Sequence, residues 1–288
     1  MFEVLVNPKK AQEKPWLLLF VGILYASLSF LIVNFFFSRD VILSRYSGLL
    51  MAMFASLFSI IFVYHSIKLD ERENLKDKSE IKAILHDWKI LSMFLWLFLG
   101  FVIAFSFWQI VIPSVANFNS QTETYCVLNN PLQFSSCISS SANLTDTLAE
   151  ISTIPKGNFL SIFFNNVYVM FLVIIFSLIF GAGSIFIIAW NASIISAVIS
   201  LSIKFQLSNL HLGLLRFMVH GLPEMAGYFI ATLAAGMTSF AVMGFVKKKL
   251  SMDNLLKIIQ RSAVFLLVGI VLLALAALIE IFITPILF

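Results

Sequence analysis

Charged residues are scarce in this chain. Only 12% of its 288 residues are charged, whereas 60% are hydrophobic and phenylalanine alone occurs 31 times. A soluble domain carries about a quarter charged residues. Because no water-soluble fold can bury so much apolar surface, the composition excludes an ordinary soluble protein. It predicts instead an all-α protein that crosses a membrane several times.

The strong basic excess of a nucleic-acid-binding protein is also missing. The sequence pI is about 9.0 and the formal net charge is +4. Basic residues that flank membrane spans produce the same values. Nucleic acid is therefore not an expected partner, whereas membrane lipid is.

Familiar enzyme signatures are absent from the sequence as well. It has no H-E-x-x-H, Walker A or glycine-rich dinucleotide motif. The "GAGS" at 181–184 differs from the G-x-S-x-G of a nucleophile elbow. No residue is therefore assigned as catalytic, and neither a metal nor another cofactor is expected.

Apolar runs of roughly 20 residues, the length of a membrane-spanning helix, recur along the chain. The tract 159–203 is too long for one crossing. We divide it near Trp190–Asn191 into two helices, the second of them short, with a re-entrant element as the alternative. The seven predicted spans are 16–37, 46–67, 90–112, two in 159–203, 214–246 and 263–285. They define an N-terminal three-span segment (1–113), an external loop (114–158) and a core of about four spans (159–288).

The distribution of lysine and arginine predicts the orientation. Segments with an excess of these residues stay in the cytoplasm. An N-terminus inside and a C-terminus outside places most of the 19 basic residues inside. We therefore expect a multi-pass protein of the cell membrane in this orientation. The inside set is Lys9, Lys10, Lys14, Lys68, Arg72, Lys76, Lys78, Lys82, Lys89, Lys247, Lys248, Lys249, Lys257 and Arg261.

The external loop contains the only two cysteines, Cys126 and Cys137. A disulfide forms and persists on the outside of the cell, so these two residues are candidates for one. The same loop has the N-glycosylation pattern "NLT", with Asn143 as the acceptor. The loop is predicted to be an exposed cap or a partner-binding surface.

Two charged segments are predicted on the inside. In 68–89, opposite charges alternate at helical spacing and Ile81, Leu85 and Trp88 recur on one side. This pattern predicts a helix that extends the second or third span, either as a solvated, salt-bridged helix or as a docking site for a partner. The segment 246–262 is predicted to be an interfacial anchor, with Leu255, Leu256 and Ile259 in the membrane interface.

Ionisable and amide side chains within the spans are the candidate functional residues. Burial of a charge in hydrocarbon costs from about 2.5 kcal/mol upward. We therefore expect these side chains to face the bundle interior and to partner one another. The candidates are His220, Glu224, Glu280, Asn165, Asn166 and Asn191.

The stretch "MVHGLPEMAG" at 218–227 contains two of these candidates. His220 and Glu224 are four residues apart and would share one face of a continuous helix. Pro223 removes an amide donor and Gly221 loosens the same turn. We expect a kink or a break here, with a second half-helix that starts at Pro223 and has Glu224 near its N-terminus.

The residues alone leave four interpretations of this constellation open. The polar groups hold helices together, they line a proton or ion path, they form a pocket for a lipid or a partner's membrane helix, or they form a metal or catalytic site. Zinc takes three or four ligands, and His220 with Glu224 supplies two. His211 and Glu280 could complete a zinc site only through a fold that the sequence does not specify.

Small residues near the same span predict close helix packing, within the chain or between copies of it. Homo-oligomers are therefore compatible with the sequence. The residues of this span are Ala226, Gly227, Ala231, Ala234, Ala235 and Gly236. Gly181 and Gly183, in the tract 159–203, are expected to let a helix pack closely or bend.

The polar elements occur in an order that resembles the stage II sporulation protein M family of integral membrane proteins. The similarity covers roughly 159–285 and is carried by "FFNN" at 163–166, "WNAS" at 190–193, "HGLPE" at 220–224 and "IEIFITP" at 279–285. The family usually has Asn–Gly where this chain has Asn191–Ala192. The N-terminal half, entered through "NPKKAQEKPW", resembles longer members associated with archaea.

This resemblance implies an assembly or anchoring role. The founding member acts in spore-forming bacteria as a membrane scaffold in a complex with cell-wall-degrading enzymes, and it is not regarded as catalytic. The implied function is a non-catalytic scaffold that recruits membrane or envelope proteins. The first alternative is a transporter or channel for ions, protons or a small solute, with His220 and Glu224 on the path. The second is an intramembrane enzyme with an unfamiliar site.

Overall fold

The computed structural model describes residues 8–37, 39–40, 42–76, 80–112, 118, 120–124, 158–180, 183–205 and 210–287. These residues are almost entirely helical, and none of them lies in a strand. A 3-10 turn spans Leu43–Tyr46, and a π-helical turn spans Ile279–Ile283. The helices are α1 Pro8–Glu13, α2 Leu17–Phe36, α3 Ser47–Lys76, α4 Glu80–Val111, α5 Phe159–Phe180, α6 Ile185–Phe205, α7 Leu210–Val246, α8 Met252–Leu278 and α9 Thr284–Leu287.

Six helical segments of the described residues are long and apolar enough to cross a membrane. A shorter apolar helix, Ile185–Ser200, lies within α6 in the second half of the tract 159–203, and the seventh crossing predicted there stays a prediction. The predicted all-α, multi-pass architecture is therefore confirmed, whereas its orientation stays a prediction. The six segments are Leu17–Phe36, Leu43–Glu73, Asp87–Val111, Phe159–Leu178, Met218–Val246 and Met252–Leu287.

The long tract divides earlier than predicted. α5 ends at Phe180 and α6 begins at Ile185, so Trp190 and Asn191 lie inside a helix and not at a turn. The Asn191 side chain donates to the carbonyl of Ile187, one turn back, at 2.8 Å. This bond satisfies the amide within its own helix, so the polar residue does not interrupt it.

The prediction that a second half-helix starts at Pro223 is also wrong, whereas a kink there stays a prediction. α7 runs without interruption from Leu210 to Val246 and contains Pro223 in its interior. A helix that spans a membrane tolerates proline when neighbouring groups satisfy the freed carbonyl. The irregular segment is the π-helical turn around Glu280, where the Thr284 hydroxyl donates to the Ile279 carbonyl at 3.2 Å.

The helices form two packed groups. α2, α3 and α4 contact one another, and α7 packs along α8 and against α5. α6 packs mainly against α3 and α4 and also contacts α7. Its serines Ser193, Ser196 and Ser200 are fully buried, and each donates to a carbonyl of its own helix. Small, internally satisfied side chains let neighbouring helices approach closely.

A close approach of two backbones joins α2 to α4. A Cβ atom added to Gly22 would lie 2.5 Å from the carbonyl oxygen of Leu97. One added to Gly100 would overlap the carbonyl oxygen of Leu19 and lie 2.9 Å from the Cα atom of Gly22. Only glycine fits at this crossing, because the atoms in the way belong to backbone.

The small residues of α7 face other helices of this chain, as predicted. Gly227 lies against Leu273 of α8, and Gly236 lies against Ile67 of α3. Ala231 and Ala234 are fully buried. The small-residue face is thus used within the protomer.

Charged residues of three helices gather at one end of the bundle. α3 and α4 have 30 and 32 residues, which corresponds to about 45–48 Å of helix against about 30 Å of hydrocarbon. The surplus carries the charges of 68–76 and 80–89, and we call these two described stretches the α3–α4 hairpin. Arg261 of α8 contacts Glu71 and Asp87 of the hairpin. The α7–α8 connection, which carries Lys247, Lys248 and Lys249, therefore belongs to the same end of the bundle. We call it the lysine-rich end.

Candidate functional site

The polar centre within the apolar part of the bundle is built around Glu224 of α7. Its carboxylate accepts a hydrogen bond of 2.8 Å from the hydroxyl of Tyr228, one turn further along the helix. Tyr228 is 1% exposed, so this hydroxyl lies inside the protein. A carboxylate and a phenol that satisfy each other can be held in the bundle without contact with lipid.

Glu280 brings a second acid to this centre from another helix. It lies in the π-helical turn after α8, near enough to Glu224 for the two charges to interact. His220 lies one turn before Glu224 on α7. All three side chains are partly buried. The structure therefore brings Glu224 and Glu280 together and places His220 next to them along the helix.

The predicted asparagines lie in different environments. Asn166 is 5% exposed, but Asn165 is exposed on the surface of α5, so its predicted inward orientation is wrong. Consecutive residues of a helix point about 100° apart, and only one of the pair can face the interior. Asn191 bonds within α6. Gly221 and Pro223 lie within the continuous helix.

A second charged centre, at the lysine-rich end, was not predicted from the sequence. Asp70, Glu71 and Asp87 are 0%, 1% and 2% exposed. Arg261 contacts Asp87 Oδ2 through one guanidinium nitrogen and lies 3.6 Å from Glu71 Oε1 through another. The expectation that the whole of 68–89 is a solvated helix is therefore wrong for these acids.

The periodicity of α3 contains a signal for this burial. Val63 and Ile67 are 2% exposed and lie on its inner face. Steps of three and four residues continue that face to Asp70 and Glu71. The sequence does not show which cation pairs with these buried acids. Arg261 is far away in the chain and lies in a segment predicted to anchor in the membrane interface.

The three acids resemble a set of oxygen ligands for a hard cation. One carboxylate oxygen from each lies within 4.8 Å of the others, and such oxygens suit Mg²⁺ or Ca²⁺. The guanidinium of Arg261 already contacts two of the three carboxylates. We therefore interpret the cluster as an ion-pair latch between α8 and the α3–α4 hairpin.

The remaining predicted residues divide into two groups. Trp88 is 70% exposed. Leu256 and Ile259 are exposed, as residues of a membrane interface would be, but Leu255 is buried in the bundle, so its predicted place in the interface is wrong. The candidate disulfide and glycosylation sites lie outside the described residues, as do the side chains of two hairpin residues. These are Cys126, Cys137, Asn143, Ile81 and Leu85.

Comparison with known proteins adds one match. The family model described as "Stage II sporulation protein M" matches residues 17–285. It therefore includes α2, α3 and α4 as well as the region 159–285 to which the sequence motifs pointed. No curated protein and no solved structure matches the chain.

Proposed function

This chain belongs to the stage II sporulation protein M family, and from that premise we propose that it is a non-catalytic membrane scaffold. Its partners bind at the lysine-rich end of the bundle. The α3–α4 hairpin is the main support for this proposal. Its two helices continue past their apolar spans, and the buried ion-pair latch fixes its base to α8. A projecting, internally fixed helical hairpin is a suitable platform for other proteins.

One exposed aromatic side chain is the contact point that we propose on this platform. Trp88 is 70% exposed, although its neighbours Asp87 and Ile90 are buried. Lys89 beside it is exposed as well. Tryptophan is enriched among the residues that dominate protein interfaces. We place Trp88 in the partner contact at the base of the hairpin.

Co-purification from native membranes tests this assignment. We expect tagged protein to retain at least one partner protein in mild detergent. The Trp88→Ala variant should lower that recovery at least tenfold, because loss of an interface anchor costs about 2 kcal/mol or more. Quantitative mass spectrometry of the purified complex measures the recovery.

Trp16 provides a matched control for that substitution. It is 48% exposed at the start of α2 and belongs to neither helix of the α3–α4 hairpin. Trp16→Ala should leave partner recovery within about twofold of the wild type, as expected of a side chain outside the contact region. Equal losses from both variants, or no partner above an untagged control, would contradict the proposed docking site.

A second candidate function rests on the acids within the bundle. Glu224 and Glu280 belong to different helices, interact with each other and lie within apolar spans. Intramembrane acids commonly mark proton or ion pathways. This arrangement favours a transporter or channel as the alternative to a scaffold.

Glu224→Gln separates the two functions. The amide oxygen of glutamine can still accept from Tyr228, so we expect the variant to fold and to keep the partner recovery of the wild type. Proton flux into vesicles that contain purified protein, followed with a pH-sensitive dye, should be the same for both proteins. A wild-type flux that disappears in folded Glu224→Gln protein would assign the site to transport.

A further inference from the structure

The connection between α7 and α8 carries three consecutive lysines, Lys247, Lys248 and Lys249, on a defined turn. The amide of Lys249 donates to the carbonyl of Gly244 at 2.9 Å, and that of Lys248 donates to the carbonyl of Phe245 at 2.9 Å. Together these bonds form the Schellman arrangement that ends many helices. The spacing of the three lysines is therefore fixed by backbone geometry.

Lys248 occupies the position of this turn that usually holds glycine. Its φ angle is +54°, in the left-handed region that side chains with a Cβ disfavour. Glycine would form the same turn with less strain. The turn geometry alone thus does not account for a lysine here, and strained positions are often retained for the side chain they present.

The ammonium groups of this turn face outward. All three lysines are exposed, and none of them makes an ion pair with a carboxylate among the residues that the structure describes. The nearby charged residues of α8 are Asp253 and Lys257, which balance each other. The turn is therefore an exposed cationic surface.

Apolar side chains extend this surface toward the membrane. Met252 and Leu256, in the first turns of α8, are 54% and 50% exposed. The apolar helical segment that starts at Met252 has 36 residues, or about 54 Å, and its first turns therefore project beyond the hydrocarbon core to headgroup level. Cationic and apolar side chains side by side are typical of an interfacial lipid contact.

We propose that the α7–α8 turn is a binding site for anionic phospholipids. The ammonium groups of Lys247, Lys248 and Lys249 contact headgroup phosphates, and Met252 and Leu256 enter the boundary between headgroups and acyl chains. The site lies at the lysine-rich end, beside the ion-pair latch, so the bound lipid holds this end at the membrane surface. The proposal does not depend on the scaffold function.

A lipid titration of the full-length protein tests this site. The protein is purified in neutral detergent, and its melting temperature is measured against short-chain phosphatidylglycerol or phosphatidylcholine. Phosphatidylglycerol should raise the melting temperature through ligand linkage, and phosphatidylcholine should not. Each lysine near an anionic surface contributes about fivefold in affinity. The Lys247→Gln/Lys249→Gln variant should therefore bind phosphatidylglycerol about 25-fold more weakly.

Two controls make the result specific. Lys10→Gln/Lys14→Gln removes the same amount of charge from exposed residues of α1 and its C-terminal flank, at the same end of the bundle. The affinity of this variant for phosphatidylglycerol should stay within about twofold of that of the wild type. Inorganic phosphate should not reproduce the shift, because it has no acyl chains for Met252 and Leu256. A wild-type response in the Lys247→Gln/Lys249→Gln variant would overturn the proposal. So would an equal loss in the α1 variant, or a full shift with phosphate alone.

Discussion

Replacement of Gly100 with alanine is expected to lower the free energy of unfolding by about 3 kcal/mol. The added Cβ would overlap the carbonyl oxygen of Leu19 and approach the Cα atom of Gly22 to 2.9 Å. These atoms belong to the backbone of α2, which cannot yield without separation of the two helices. Detergent-solubilised protein unfolded with increasing SDS gives the measurement.

Gly244 provides the control for this substitution. A Cβ added there would meet only the side chain of Leu250, at 3.4 Å, which is an ordinary contact. Gly244→Ala should therefore be neutral or should stabilise the protein by up to about 1 kcal/mol through the higher helix propensity of alanine. If both variants unfolded like the wild type, the close α2–α4 crossing would be incorrect.

Arg261→Ala should destabilise the protein by about 3 kcal/mol. The substitution leaves the carboxylates of Glu71 and Asp87 buried without their cation, and it also removes a contact with the ring of Phe265 at 6.0 Å. The Arg261 side chain is 25% exposed, so solvent screening places the loss at the lower end of the range for buried pairs. Lys257→Ala, one turn earlier on an exposed position, should change stability by less than about 0.5 kcal/mol.

A double substitution distinguishes the lost ion pair from lost packing. Asp87→Asn in the Arg261→Ala background removes one of the carboxylates that Arg261 balances. If the latch is electrostatic, the double variant should recover about 1–3 kcal/mol relative to additivity. Additive losses would show that Arg261 acts through its hydrocarbon stem and not through Asp87.

The spans could be predicted because their signal is local. Long apolar runs and flanking basic residues identify helices without knowledge of their neighbours. The predicted division of 159–203 near Asn191 is wrong because this polar residue does not mark a turn. Its amide is satisfied by the carbonyl of Ile187, and the helix continues. The glycines Gly181 and Gly183, between the observed helices, were the more informative signal.

The contacts between distant segments could not be predicted from the sequence. Gly22 and Gly100 are ordinary glycines in two apolar runs, and only the packed bundle shows that they meet. In the same way, Arg261 could not be assigned to Glu71 and Asp87 by any local pattern. The inward placement of Glu224 and Glu280 is predicted from a physical requirement, because acids are costly in lipid, and not from a pattern of contacts.

Site-specific photocrosslinking in native membranes tests the scaffold account most directly. A photoreactive amino acid replaces Trp88 on the α3–α4 hairpin or, as the reference position, Leu267, which is 63% exposed on the apolar surface of α8. The account predicts a discrete protein adduct from position 88 and lipid adducts alone from position 267. Lipid adducts alone from both positions would mean that Trp88 is an ordinary membrane-interface tryptophan, and they would contradict a docking site at the lysine-rich end.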